Sequence, residues 1–132
     1  MKTHLVTAGA LVWAAVIFML SAQPASRLQG TRDFFDFVPR ADLLVHVFLF
    51  FVLALLVHAV LRAYIPRRKN LLLADTVIFC LLYGMSDEFH QLFVPGRTLS
   101  GLDLFADVLG ATMAVTLWLG IQRLRQRMRR GR

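Results

Sequence analysis

The chain has 132 residues, of which 58% are hydrophobic, and its 15 Lys and Arg against 8 Asp and Glu give a formal net charge of +7. Such an apolar composition excludes an ordinary soluble domain, in which ~45–50% of residues are apolar. The length leaves room for one domain, so the sequence predicts a single integral membrane domain over residues 1–132.

Four apolar segments follow one another along the chain, and each is close to the ~20 residues that a helix needs to cross a hydrocarbon core ~30 Å thick. Backbone polar groups in lipid must be paired within the segment, so each segment is expected to be an α-helix. The predicted fold class is all-α, an integral membrane four-helix bundle, with helices at about residues 5–22, 43–64, 71–94 and 101–124.

The first apolar segment and the loop after it each allow two interpretations. The segment could be a cleaved signal peptide, although Ser21-Ala22-Gln23-Pro24 is not a clean small-x-small cleavage site. Loop 1, residues 23–41, contains four apolar residues interrupted by Asp33 and Asp36, so it either rests on the headgroup layer or covers the polar cluster as a lid. These apolar residues are Phe34, Phe35, Phe37 and Val38.

The distribution of Lys and Arg predicts the orientation of the helices. Eleven of the fifteen lie on one side, which the positive-inside rule makes cytoplasmic, together with both termini. A basic run directly after a membrane helix meets anionic lipid headgroups, so we expect the lipid bilayer as a partner and no nucleic acid. The eleven are Lys2, Arg62, Arg67, Arg68, Lys69, Arg123, Arg125, Arg127, Arg129, Arg130 and Arg132.

The link between the third and fourth helices carries the clearest local signals. Pro95 and Gly96 stand where a type II turn requires them. Ser100 followed by Asp103 is typical of a helix start, with a capping hydroxyl and an acid in the first turn. The two helices should therefore form a tight hairpin whose tip holds Arg97 close to the carboxylates on both flanks.

Polar residues on three helices are predicted to meet at the outward-facing level. Each helix brings polar side chains spaced so that members share a face. Intramembrane carboxylates are costly, so the cluster predicts a functional site. The competing interpretation, ion pairs that only fix helix register, requires fewer polar groups than are present. The residues are Asp42 and His46 on the second helix, Asp87, Glu88, His90 and Gln91 on the third, and Asp103 and Asp107 on the fourth.

The residue types in this cluster suit proton transfer and ligand binding. Glu88, Asp107 and His46 are the candidate catalytic residues, as general acids or bases. Carboxylates and imidazoles also bind divalent ions, but the spacing of a recognised zinc site is absent, so the metal and any cofactor stay unassigned. The candidate ligand-binding residues are Asp42, Asp87, His90, Gln91, Arg97, the last as a fork for phosphate or carboxylate, and Asp103.

The stretch Tyr83 to Arg97, with Ser100, Asp103, Ala106 and Gly110 after it, resembles the signature of the VanZ-like family of small bacterial membrane proteins. Asp42 and His46 match the family pattern on the second helix, and Ser21 to Pro24 resembles the usual end of the first. Two positions depart from the pattern, since Leu43 stands where the family often has Lys and Asp107 where it often has Asn. The site is thereby more acidic by two charge units.

The resemblance implies one VanZ-like domain and a role in the bacterial cell envelope, in a family named for a protein that gives resistance to the glycopeptide teicoplanin. Three functions follow as hypotheses. The first is a module that binds a lipid-linked, glycopeptide or wall-precursor ligand, and the second is an enzyme that modifies a lipid headgroup or wall precursor. The third is a small transporter, which the apolar inner half disfavours. The expected location is the bacterial plasma membrane, with the site on the extracytoplasmic side, and a homo-oligomer is possible.

Site-specific labelling tests the predicted orientation, since Cys80 is the one cysteine of the chain. In a Cys80→Ser background, a membrane-impermeant maleimide should label Thr98→Cys in intact cells. It should label Gly131→Cys only after permeabilisation, because the basic tail is expected inside. The reverse pattern would contradict the orientation.

Overall fold

The structure is a computed structural model, and it describes residues 2–27, 40–65 and 69–131, apart from the side chains of residues 2, 69 and 70. Most of these residues are helical and none of them lies in a strand, which confirms the all-α class. Loop residues 28–39, with Asp33 and Asp36, lie outside the described residues. The helices are α1 Lys2–Ser21, α2 Ala41–Tyr64, α3 Lys69–Gln91 and α4 Gly101–Arg130.

Three of the helices are long and apolar enough to cross a membrane, over Thr3–Ser21, Ala41–Tyr64 and Gly101–Arg130. The remaining helix, α3, has 23 residues and carries four charged ones. Large apolar side chains face outward along all four helices, while polar side chains such as Thr76 and Gln91 are buried. This inside-out distribution is that of a membrane protein, because lipid accepts apolar surface but pairs with no polar group.

The hairpin between α3 and α4 forms as its residues predict. Gly96 has φ 75°, and the Arg97 N–H donates to the Val94 carbonyl over 3.1 Å, as in a type II turn. Ser100 caps α4, since its hydroxyl oxygen accepts from the Asp103 N–H over 3.2 Å. Because residues 92–94 already turn toward Pro95, α3 ends at Gln91, three residues before the predicted end.

The fourth helix runs to Arg130, six residues beyond its predicted end. Its last turns consist mainly of Arg, Gln, Leu and Met, which are all good helix formers. From residue 123 onward every described side chain is exposed. The helix has 30 residues, which correspond to ~45 Å at 1.5 Å per residue, so its basic end extends past a hydrocarbon core ~30 Å thick.

Helix α2 lies at the centre and packs most extensively against α4. Its buried residues Phe50, Leu53 and Ala54 form the core together with Ile17 of α1 and Ala111 of α4. Hydrogen bonds fix α1 against this core. Trp13 donates to the Leu49 carbonyl over 2.9 Å, and Tyr83 donates to the Ala14 carbonyl over 2.7 Å.

A stripe of small residues on α4, formed by Ala106, Gly110 and Ala114, lies in the α2–α4 contact. Ala106 and Ala114 are 3% and 1% exposed. Between them, Gly110 meets the backbone of α2, where an added Cβ would overlap the Val47 carbonyl oxygen and lie 3.0 Å from the Phe51 nitrogen. The helices therefore touch backbone to backbone, as small residues allow in membrane proteins.

A comparison of two glycines on α4 tests this contact. Gly110→Ala should lower the free energy of unfolding by ~1–3 kcal/mol, because α2 must move to admit the methyl group. Gly120→Ala is the matched control, since nothing lies within 4 Å of its added Cβ. It should be neutral or stabilising by up to ~1 kcal/mol through helix propensity. Reversible unfolding in mixed micelles measures both, and equal effects would contradict the close contact.

Candidate functional site

Four carboxylates and one imidazole gather where the start of α2, the end of α3 and the start of α4 meet. We call this group the acidic site. Asp87, Glu88 and Asp107 are 4%, 3% and 1% exposed, while the side chains of His46 and Asp103 are each 15% exposed. Burial of three carboxylates at one level is costly, and the structure brings together five of the residues that the sequence predicted to meet. The members of the acidic site are His46, Asp87, Glu88, Asp103 and Asp107.

The imidazole of His46 joins α2 to α4. Its Nδ1 lies 2.9 Å from Asp107 Oδ1, and its Nε2 lies 3.9 Å from Asp103 Oδ2. Asp103 and Asp107 reach the same ring because residues four apart on a helix share a face. The ring is therefore oriented by a buried carboxylate through one nitrogen, while the other nitrogen has no hydrogen bond within the described residues.

Asp87 is satisfied by two partners and ties α3 to the end of α1. The Ser21 hydroxyl lies 2.5 Å from Asp87 Oδ1, and the Gln91 amide donates to Asp87 Oδ2 over 2.9 Å. Gln91 is itself 1% exposed. Asp87 and Gln91 therefore serve helix packing at the edge of the acidic site. Sequence reasoning did not assign Ser21 to the site, and its only signal was its place in the family pattern.

Glu88 connects α3 to the first turn of α4. Its Oε2 accepts the Ser100 N–H over 2.7 Å, next to the N-terminus of α4, where the helix dipole favours a negative charge. Its second oxygen, Oε1, is buried and has no hydrogen-bond partner among the described residues. Glu88 thus uses one oxygen, Oε2, for a contact between helices, while its other oxygen, Oε1, remains available as an acceptor.

Asp107 shows the same division between its two oxygens. Oδ1 pairs with His46, whereas Oδ2 is buried and has no partner in the described part of the chain. Gly84 of α3 makes room for it, because a Cβ at Gly84 would lie 2.8 Å from Asp107 Oδ2. The two unpartnered oxygens, Glu88 Oε1 and Asp107 Oδ2, are the least satisfied feature of the acidic site.

Three other predicted site residues lie outside this group. Asp42 is exposed in the first turn of α2, without a hydrogen bond or ion pair to a described residue. The His90 ring packs against Phe18, with centroids 4.4 Å apart. Arg97 donates to the Gln23 carbonyl over 3.4 Å and pairs with none of the described carboxylates. Their binding roles stay predictions, and the expected approach of Arg97 to the acids is not seen within the described residues.

The described residues contain no group of three or more His, Cys, Asp and Glu side chains arranged to hold a metal ion. What the geometry does offer is an oriented imidazole next to several carboxylates. Asp107 interacts electrostatically with His46, Asp87 and Glu88, so the site presents mainly negative charge. Such a group can accept protons or attract a cation.

The fold and the site define a helical membrane protein with a buried polar group at one end of its helices. A family model, VanZ/LLP1, matches residues 6–123. The chain belongs to the VanZ/LLP1 family, which confirms the resemblance found in the sequence.

Among curated proteins, the chain is similar to an uncharacterised protein of Schizosaccharomyces pombe, with 35% identity over 81 residues. The match covers 61% of this chain and 48% of the yeast protein, so the chain spans about half the length of the relative it matches. No solved structure matches the chain.

A double-mutant cycle measures the contact between His46 and Asp107. His46→Ala should lower the free energy of unfolding by ~3–5 kcal/mol, because it leaves a buried carboxylate uncompensated. Adding Asp107→Ala should cost less than its effect in the native chain, with a coupling of ~1–3 kcal/mol. The control cycle pairs His46→Ala with Asp42→Ala, whose side chain is exposed one turn away on α2, so the coupling there should stay within ~0.5 kcal/mol. Equal coupling in both cycles would contradict the buried pair.

Proposed function

We propose that this protein binds an amphiphilic component of the cell envelope, and that the ligand presents an ammonium group or another strong hydrogen-bond donor to the acidic site. The observation that carries the proposal is the pair of buried, unpartnered carboxylate oxygens, Glu88 Oε1 and Asp107 Oδ2. They accept hydrogen bonds and attract positive charge, so they define the chemistry of the group that would fill the site.

The free-energy cost of these oxygens supports a ligand. A buried acceptor without a partner costs ~1–3 kcal/mol, and more when it is charged. The other oxygens of the same carboxylates are already committed, one to Ser100 N–H and one to His46. A ligand ammonium would pair with the remaining oxygens and offset the repulsion between the carboxylates.

The charge of the surrounding side chains also supports a cationic ligand group. Among the described residues, His46 is the one basic side chain paired with the carboxylates, and Arg97 is turned to Gln23. A phosphate placed among the acids would meet repulsion there. If a lipid phosphate takes part, Arg97 at the hairpin tip is the group suited to it.

The ligand class and the location rest on further arguments. The distribution of basic residues supports a site on the extracytoplasmic side of a bacterial plasma membrane, where lipid-linked wall precursors and glycopeptides are found. The yeast relative favours a phospholipid headgroup, because fungi make no peptidoglycan whereas ammonium-bearing phospholipids occur in both groups. A link to teicoplanin resistance rests on the family resemblance alone.

Enzymatic modification of the bound ligand is the second candidate function, and the His46–Asp107 pair favours it. A buried carboxylate that orients one imidazole nitrogen leaves the other free to take a proton, as in many hydrolytic sites. The side chain of His46 is 15% exposed, so a substrate hydroxyl or a water molecule can reach it. In this function, Asp107 orients the ring, His46 is the general base, and Glu88 binds the positively charged group.

Ligand titration tests the binding function with phosphatidylethanolamine as the probe. The purified full-length chain in detergent should gain thermal stability as this lipid is added. Glu88→Gln keeps the size of the side chain but removes its charge, and it should abolish most of the gain. Asp42→Asn removes an exposed carboxylate of the same end and should leave the gain unchanged. An equal gain in all three proteins would contradict the proposal.

Lipid and wall-precursor extracts from cells that express the native chain, Glu88→Gln or His46→Gln separate binding from turnover. An altered lipid species present only with the native chain would establish the enzyme. Unchanged extracts together with Glu88-dependent stabilisation would establish a binding protein without turnover. Expression of each variant is compared by immunoblotting, so that a lost product is not mistaken for lost protein.

A further inference from the structure

A second polar group lies at the opposite end of the helices, near the basic tail of α4. It consists of His58 and Arg62 from the end of α2, Thr76 from α3 and Trp118 from α4. His58 and Thr76 are 4% and 0% exposed. None of these residues contributes to the acidic site, which is at least ten residues away along each helix, or ~15 Å at 1.5 Å per residue.

The hydrogen bonds of this group fix its donors. The Thr76 hydroxyl donates to the Leu72 carbonyl over 2.7 Å, and a hydroxyl has one hydrogen. Thr76 therefore accepts from His58 Nδ1, which lies 3.1 Å from its oxygen. The His58 ring then stands at 62° to the Trp118 ring, with centroids 5.2 Å apart. The Trp118 ring thus packs against an imidazole, that of His58, whose orientation is fixed by its hydrogen bond to Thr76.

Two donors at this place have no acceptor among the residues that the structure describes. Trp118 Nε1 is buried and has no hydrogen-bond partner among the described residues. The guanidinium carbon of Arg62 lies 5.0 Å from the centre of the Trp118 ring, within the ~6 Å range of a cation–π contact. The indole N–H can only donate, so whatever completes the site must supply an acceptor, and Arg62 favours one with negative charge.

A small cavity lies next to this group and is lined by three leucines as well as by His58, Arg62 and Trp118. Its volume is about 20 Å³, which holds about one water-sized group. It therefore admits a single oxygen, while the rest of a ligand must stay at its mouth. We call it the Arg62 pocket, and its lining residues are His58, Arg62, Leu72, Leu73, Trp118, Leu119 and Gln122.

We propose that the Arg62 pocket binds the phosphate of an anionic phospholipid in the membrane leaflet at the basic end. One phosphate oxygen accepts from the Trp118 N–H, the negative charge faces Arg62, and an acyl chain lies along Leu72, Leu73 and Leu119. The leucines distinguish this pocket from a site for a free anion, which would need no apolar wall.

The next turns of α4 strengthen the case for an anionic headgroup. A second cavity of about 190 Å³ lies among Arg123, Gln126, Arg127 and Arg130. Basic clusters at the end of a membrane helix attract anionic lipids. These arginines would concentrate such lipids at the surface, and the Arg62 pocket would hold one of them in a defined position.

Native mass spectrometry of the full-length chain with added phosphatidylglycerol tests the proposal. Arg62→Gln should weaken the binding of the first lipid about tenfold. Trp118→Phe keeps an aromatic ring but removes the donor, and it should weaken binding about ten- to a hundredfold, as the loss of one hydrogen bond to a charged group predicts. Arg125→Gln is the matched control, since it removes the same charge from α4 outside both cavities, and its effect should stay below twofold.

Three outcomes would overturn the proposal. If Arg62→Gln and Arg125→Gln weaken lipid binding equally, the lipid is attracted by the overall charge of the basic tail and not by the Arg62 pocket. Equal affinity of the native chain for phosphatidylcholine would show that the negative charge is not recognised. Displacement of the lipid by millimolar glycerol phosphate would assign the pocket to a soluble phosphate. If Arg62→Gln loses helical content by circular dichroism, the Trp118→Phe variant, which keeps an aromatic ring at this position, decides the question alone.

Discussion

The cost of keeping carboxylates inside a group of apolar helices governs one end of this protein. Asp87 is hydrogen-bonded to Ser21 and Gln91. Glu88 accepts from the backbone N–H of Ser100, and Asp107 pairs with His46. Each of these partners except Gln91 belongs to a different helix from the carboxylate that it contacts, or to the N-cap of a different helix. The contacts that satisfy the acids are therefore also those that connect α1 to α3, α3 to α4 and α2 to α4.

The two ends of the molecule carry buried hydrogen-bonding groups of opposite kinds that have no partner among the described residues. The acidic site has spare acceptors, Glu88 Oε1 and Asp107 Oδ2, whereas the other end has a spare donor, Trp118 Nε1, below the guanidinium of Arg62. Hydrogen-bonding groups in lipid rarely stay without partners. Both ends are thus suited to the polar parts of amphiphiles, with a positive group at one end and a negative group at the other.

Much of this architecture is predictable from local patterns in the sequence. The Pro95-Gly96 turn and the Ser100 cap depend on neighbouring residues only, and Asp103 and Asp107 share a face by helix geometry alone. What the sequence does not show is how side chains choose between distant partners. Ser21 and Asp87 are 66 positions apart, and a long side chain such as that of Arg97 can reach either the acids or the Gln23 carbonyl. Asp42 lies in the first turn of α2, where its side chain is exposed and pairs with no described residue.

The backbone contact at Gly110 has a consequence for how the site can vary. Val47 is the neighbour of His46, and Gly110 lies three residues after Asp107, so the contact between these backbones sets the spacing of the imidazole and the carboxylate. That spacing depends on the absence of a side chain at Gly110. An amide in place of the Asp107 carboxyl has nearly the same shape, so the charge at this point can change while the contact between α2 and α4 is kept.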